Sequence, residues 1–125
     1  MIDLNPHPRG YQVHLPGEVD HSTAREFNFC FRNEMAGSSG AFALIIDARD
    51  LDFFHADALA QFESTLESVQ PEGLKCICVL ASSTVHAPLF CDMMLRSGLM
   101  DAYHYLDVAY DPDWSKELEE ILAEV

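Results

Sequence analysis

Residues 41–59 read AFALIIDARDLDFFHADAL, and the fold turns on this stretch. Residues 41–46 are apolar on both alternating faces and end in two isoleucines, the pattern of a central strand covered on both sides rather than one wetted along a face. Such a strand needs a layer above it and another below. Asp47, Asp50 and Asp52 stop the apolar run, and His55, Ala56 and Asp57 then lead into a helix. The apolar positions of that helix, Leu59, Phe62, Leu66 and Val69, fall on one face. Polar side chains therefore collect at the carboxyl end of a buried strand, where open α/β sheets place their sites.

Working outward, the segment before this core opens with Asn5-Pro6-His7-Pro8-Arg9-Gly10, a proline-punctuated turn. Tyr11, Val13 and Leu15 alternate with Gln12 and His14, as in a strand with one buried face, so residues 1–15 read as a hairpin. Pro16-Gly17 ends it. Thr23-Ala24-Arg25-Glu26 matches a capping box and predicts a helix running to about residue 36, with Phe27, Cys30, Phe31 and Met35 as its stripe. Phe29 points away from that stripe, either under another element or outward toward a partner. Residues 37–40, GSSG, form a short flexible loop, too short for a domain boundary.

Downstream, Gln70-Pro71-Glu72-Gly73 makes a turn, and residues 74–81, LKCICVLA, read as a second buried strand followed by a polar loop over residues 82–86. Pro88 fits the first turn of a helix. That helix carries Leu89, Phe90, Met93 and Met94 inward and ends at Ser97-Gly98 with glycine as a left-handed cap. Residues 103–108 make a last strand. Asp111-Pro112 opens a final helix whose Trp114, Leu118, Ile121, Leu122 and Val125 form one stripe opposite a strongly acidic face. Strands alternating with helices after an initial hairpin predict one α/β domain over residues 1–125, with a mixed, largely parallel sheet of four or five strands and about four helices.

Composition narrows the function classes. The 49% hydrophobic fraction excludes disorder. Seven basic against 21 acidic residues, a formal charge of -14, repel phosphate backbones and anionic membranes and argue against nucleic acid as a partner. No run approaches the length of a membrane span and the start lacks the features of a signal peptide, so stable membrane insertion is not expected and a cytoplasmic location is. Cys30, Cys76, Cys78 and Cys91 read as thiols in a reducing compartment, packed as small core residues.

The stretch from Asp47 to the helix start resembles the sulfate-transporter and anti-sigma-factor-antagonist (STAS) family, also called SpoIIAA-like. Members carry a strand, an aspartate, a hydrophobic residue and then Asp-Ser-Ser-Gly-Leu entering a helix. Without gaps, Asp47 takes the strand-end aspartate, Leu51 and Phe53 the hydrophobic positions, and His55-Ala56-Asp57-Ala58-Leu59 the last segment. The strand and loop over residues 79–83, and Ser97-Gly98-Leu99 with residues 103–107, are also similar to the family. The resemblance implies a STAS-like sandwich that switches protein partners. It departs at its most specific point, because the serine phosphorylated in partner-switching members falls at Asp57, which is either a lost switch or a fixed negative charge. The branch lacking the serine is similar in fold to lipid-carrying SEC14 domains, which brings in an apolar ligand.

Plainer roles stand beside these. Asp57 at a helix start favours the dipole without any further function. The spacing of Asp47, Asp50, Asp52 and His55 matches no metal-ligand motif, and no metal or cofactor is expected. Ser82, Ser83 and His86 imitate a nucleophile and base facing Asp47, but no glycine-flanked nucleophile elbow surrounds either serine. The expectation is a non-enzymatic STAS-like module that docks a protein through a rim of Asp47, Asp50, Asp52, His55, Asp57, Ser82, Ser83 and His86. The alternatives are a carrier of a lipid-like molecule at Phe90, Met93 and Met94, and a hydrolase using Ser83 and His86. Homodimerisation through Phe29 or an uncovered strand edge is compatible with each.

Overall fold

The computed structural model describes residues 2–36 and 40–125, so most of the loop expected at 37–40 lies outside the described residues. The chain opens with β1 (Asp3–His7) and β2 (Gly10–His14), an antiparallel hairpin with Leu4 opposite Val13. The two-residue β3 (Glu18–Val19) and helix α1 (His21–Met35) follow. The central strand β4 (Phe42–Asp47) leads to the two-residue β5 (Phe53–Phe54) and helix α2 (Ala56–Val69). Then come β6 (Leu74–Ala81), α3 (Ala87–Arg96), β7 (Tyr103–Asp107) and α4 (Trp114–Leu122). The main sheet has five strands in the order β1-β2-β4-β6-β7, parallel from β2 onward.

All six residues of β4 are buried, and β4 is the middle strand of the five, as an apolar run on both faces requires. Its alternating side chains feed two cores. Leu44 and Ile46 join Val13, Ile77 and Val79 beneath α1, α2 and α3, where Phe27, Phe31, Phe62, Phe90 and Met93 pack. Ala43 and Ile45 join Cys76, Cys78, Leu80 and Leu106 beneath α4, which contributes Leu122 with Trp114, Leu118 and Ile121 at its margin. The α4 layer covers the β4-β6-β7 part of its face. On the β1-β2 part, Asp3, Asn5 and His7 lie in register with His14, Gln12 and Gly10 and stay polar and wholly or partly exposed.

Aromatic rings run through the larger core. Phe27 stacks on Phe62 at 4.5 Å, Phe54 meets Phe62 edge-on at 5.5 Å, and Phe54 meets Phe90 at 6.4 Å. Each ring buried this way contributes roughly 1.5–3 kcal/mol. Phe54 belongs to β5, in the segment joining β4 to α2, so this row anchors that segment in the core. Gly10 is required where β2 passes β4, since a Cβ there would stand 2.0 Å from the Ala43 carbonyl oxygen. Gly98 caps α3 at φ +72°, as expected of a glycine C-cap.

Three local expectations are corrected. The cap of α1 is Asp20, whose carboxylate accepts the Thr23 amide at 2.8 Å, and the helix starts at His21. Thr23 therefore sits at the third helical position, and the Glu26 carboxylate is taken by the Ile2 amide. Of the four cysteines only Cys76 and Cys78 are core residues; Cys30 is half-buried and Cys91 exposed, because they lie off the buried stripes of α1 and α3. The parallel pair β3-β5 was unforeseen, being too short to leave a periodic signal. Phe29 is 68% exposed, the outward alternative of the two readings. No helix among the described residues is long and apolar enough to cross a membrane.

Candidate functional site

The carboxyl ends of β2, β4 and β6 carry the rim. After Asp47 the chain dips inward at Leu51 and Phe54, each 6% exposed, and between them turns Asp52 and Phe53 outward. Backbone bonds fix the excursion: the amides of Asp52 and Phe53 donate to the Gly17 carbonyl at 2.7 and 3.0 Å, and the His55 amide to that of Val19 at 2.9 Å. Two apolar anchors and this ladder hold the loop's polar side chains in set positions.

Asp47 is the buried member, with 4% of its side chain exposed. Its carboxylate accepts Arg49 Nε at 2.9 Å and Nη2 at 2.7 Å, a bidentate pair, together with the Arg49 amide at 3.2 Å. Burial pushes the Asp47 carboxyl up, but these bonds outweigh it and hold the group below the usual carboxylate range, while the carboxylate raises the Arg49 guanidinium. Arg49 lies over the Trp114 ring, 5.6 Å from its centroid, so the pair clamps the start of α4 against the sheet end.

Several other side chains of the rim are tied to their neighbours. His14 Nε2 meets Asp50 Oδ2 at 2.8 Å, linking β2 to the loop after β4. His55 Nε2 bonds Glu18 of β3, and Phe53, 56% exposed, meets the His55 ring edge-on at 4.7 Å. The loop after β6 is joined to the same structure: Ser82 Oγ donates to the Arg49 carbonyl at 3.4 Å and His86 Nε2 bonds the Leu51 carbonyl at 3.0 Å. Tyr105 donates its hydroxyl to the Ser83 carbonyl at 2.6 Å. Asp57 stands exposed in the first turn of α2, whose N-cap His55 makes no side-chain cap bond. Among the described residues no hydrogen bond or ion pair engages the Asp57 carboxylate.

The structure thus brings Asp47, Asp50, Asp52, His55, Ser82, Ser83 and His86 onto two interlocked loops, with Asp57 at the helix start beside them. It does not bring Ser83, His86 and Asp47 into a relay. His86 is bonded to Leu51, Ser83 Oγ accepts the Val85 amide at 3.3 Å, and Asp47 is filled by Arg49. Phe90, Met93 and Met94 have 0% exposure and pack in the core beneath α3. No cluster of three or more metal-ligating side chains forms among the described residues.

Sequence reasoning missed Arg49, His14, Glu18 and Trp114. An arginine two residues after a strand-end aspartate was the available signal for the first, since a short turn folds one onto the other. His14 joins the site through the register in which it lies opposite Asp47, which only the strand pairing reveals.

No protein-family model matches the chain, and no curated protein matches it. Among solved structures the chain is similar to an uncharacterised protein of the DUF3478 family with a SpoIIAA-like fold from Shewanella loihica PV-4. The likeness has a TM-score of 0.64 and 12% sequence identity and covers 94% of this chain and 92% of that one. The fold is therefore SpoIIAA-like, as the resemblance in residues 47–59 implied.

Proposed function

We propose that this chain is a non-enzymatic binding module that docks a protein partner through the rim of residues 47–57 and 82–86. The observation that carries the reading is the state of Asp57: an exposed carboxylate in the first turn of α2, beside a loop cross-linked to its surroundings by Asp50, His55 and His86. On the resemblance to partner-switching SpoIIAA-like domains, we take Asp57 as a permanent negative charge at the helix-start position where those proteins gain one by phosphorylation. Phe53 supplies apolar contact area next to it. The reading puts the protein in a reducing cytoplasm, where its four cysteines stay thiols.

The carrier alternative, related to SEC14 domains, needs Phe90, Met93 and Met94 to part around an apolar molecule; all three are fully buried, so the rim carries our reading. The test is affinity for a partner isolated on the immobilised wild-type chain from the organism that makes it. Asp57→Ala weakens that complex several-fold or more, about the effect of losing one interfacial charge. Unchanged affinity removes Asp57 from the mechanism. Unchanged affinity in the triple variant Asp50→Asn, Asp52→Asn, Asp57→Asn removes the rim.

A further inference from the structure

α4 crosses only part of its face of the sheet and leaves a groove on each flank. The groove toward β7 holds Asp101, Glu117, Glu120 and Glu124 against one cation, Lys75. The groove toward β1 and β2, about 490 Å³, is not acidic: Arg9 and Arg49 line it beside Glu119, and Arg49 is itself held by the Asp47 carboxylate. With Asp47 counted beside Arg49, two cations here balance two carboxylates, whereas in the whole chain seven basic residues face 21 acidic ones. The chain has thus placed scarce positive charge in one of its concave surfaces.

The chemistry of the lining is specific. Arg9 has no carboxylate partner among the described residues. Arg49 uses Nε and Nη2 on Asp47, which leaves Nη1 uncommitted, and 41% of its side chain is exposed. Trp114, the only tryptophan, and Leu118 give the groove an aromatic and aliphatic wall, and Gln12 and Ser115 add neutral hydrogen-bonding groups. Two guanidinia match a planar carboxylate, and an indole wall matches a flat ring. The volume lies within the range of small-molecule sites, roughly 300–1,000 Å³.

We propose that the groove between α4 and the β1-β2 half of the sheet binds a small planar organic anion, with Arg9 and the free edge of Arg49 meeting its carboxylate and Trp114 its ring. This site is separate from Asp57 and does not depend on the docking reading. Because Arg49 also holds Asp47 at the sheet end, occupancy of the groove is linked through one side chain to the rim.

Trp114 provides the readout, since a single tryptophan gives a single indole N–H signal in a nitrogen-15 correlation spectrum. Benzoate is the probe, with benzamide as its uncharged analogue and inorganic phosphate as an anion without a ring. Benzoate moves the Trp114 signal saturably; benzamide and phosphate bind at least about fivefold more weakly, and Arg9→Gln weakens benzoate by a similar factor, as loss of one charged donor requires. Arg25→Gln on α1, at the opposite face, leaves it unchanged. The proposal is overturned by a non-saturating shift, by equal binding of benzamide or phosphate, or by an Arg9→Gln titration that overlays the wild type.

Discussion

Replacing Asp47 by asparagine keeps the shape of the side chain and removes its charge. In the wild type the carboxylate, 4% exposed, accepts three bonds from Arg49. Asparagine offers one acceptor oxygen and turns an NH₂ group toward a guanidinium that can only donate. Arg49 is 41% exposed and rehydrates when released, so the loss falls short of the figure for a fully buried pair and is about 2 kcal/mol. With an unfolding entropy of about 2.1 cal/mol/K per residue over 125 residues, Tm at pH 7 falls by about 8 °C.

The pH dependence fixes the cause. The Asp47 carboxyl is held below its ordinary value in the folded state. Its contribution is therefore complete above the unfolded pKa of about 3.9 and is lost as pH falls through that value toward the folded one. The Tm gap between wild type and Asp47→Asn is constant from pH 7 to about pH 5 and narrows below about pH 4. Calorimetric scans of both proteins across this range make the measurement. A gap under about 2 °C at pH 7, or one that persists undiminished at the acid end, refutes the account of the Asp47-Arg49 clamp.

Two predictions concern the scaffold. Gly10→Ala drives a Cβ to 2.0 Å from the Ala43 carbonyl oxygen and 2.7 Å from its nitrogen, backbone atoms of the central strand that have nowhere to move. A urea titration of this variant shows a loss of about 3 kcal/mol or more, and a loss under about 1 kcal/mol contradicts the close approach of β2 to β4. A maleimide added to the native protein modifies exposed Cys91 first and leaves Cys76 and Cys78 until the protein unfolds, because both are buried with their sulfurs 3.6 Å apart. Peptide mapping that finds Cys78 modified as fast as Cys91 contradicts the packing of α4 on the sheet.

The parts of the fold legible in the sequence were those that bury a continuous or periodic apolar face. β6 spans the residues that the run LKCICVLA marks, and the stripe of the last helix is the one that packs on the sheet. The capping box at Thr23 misled because a better cap, Asp20, stands three residues earlier with its side chain on the Thr23 amide. β3 and β5 were illegible since two residues carry no period; they pair through backbone groups, and only Val19 and Phe54 turn inward. At the site, the acidic rim followed from where the apolar run ends. The cross-links His14 to Asp50 and His55 to Glu18 join residues 36 and 37 positions apart, which only the folded topology brings together. The arginine-lined groove depends likewise on the hairpin and α4 meeting across the sheet face.

The docking claim is tested most directly by recording amide spectra of the nitrogen-15-labelled chain while the captured partner is titrated in. The account predicts that signals of residues 47–57 and 82–86 move or broaden together, with Asp57 and Phe53 among the most affected, while α1 and the β1 edge stay unchanged. Perturbations confined to α1 around Phe29, or to the edge strand β7, would contradict it and place the partner elsewhere on the fold.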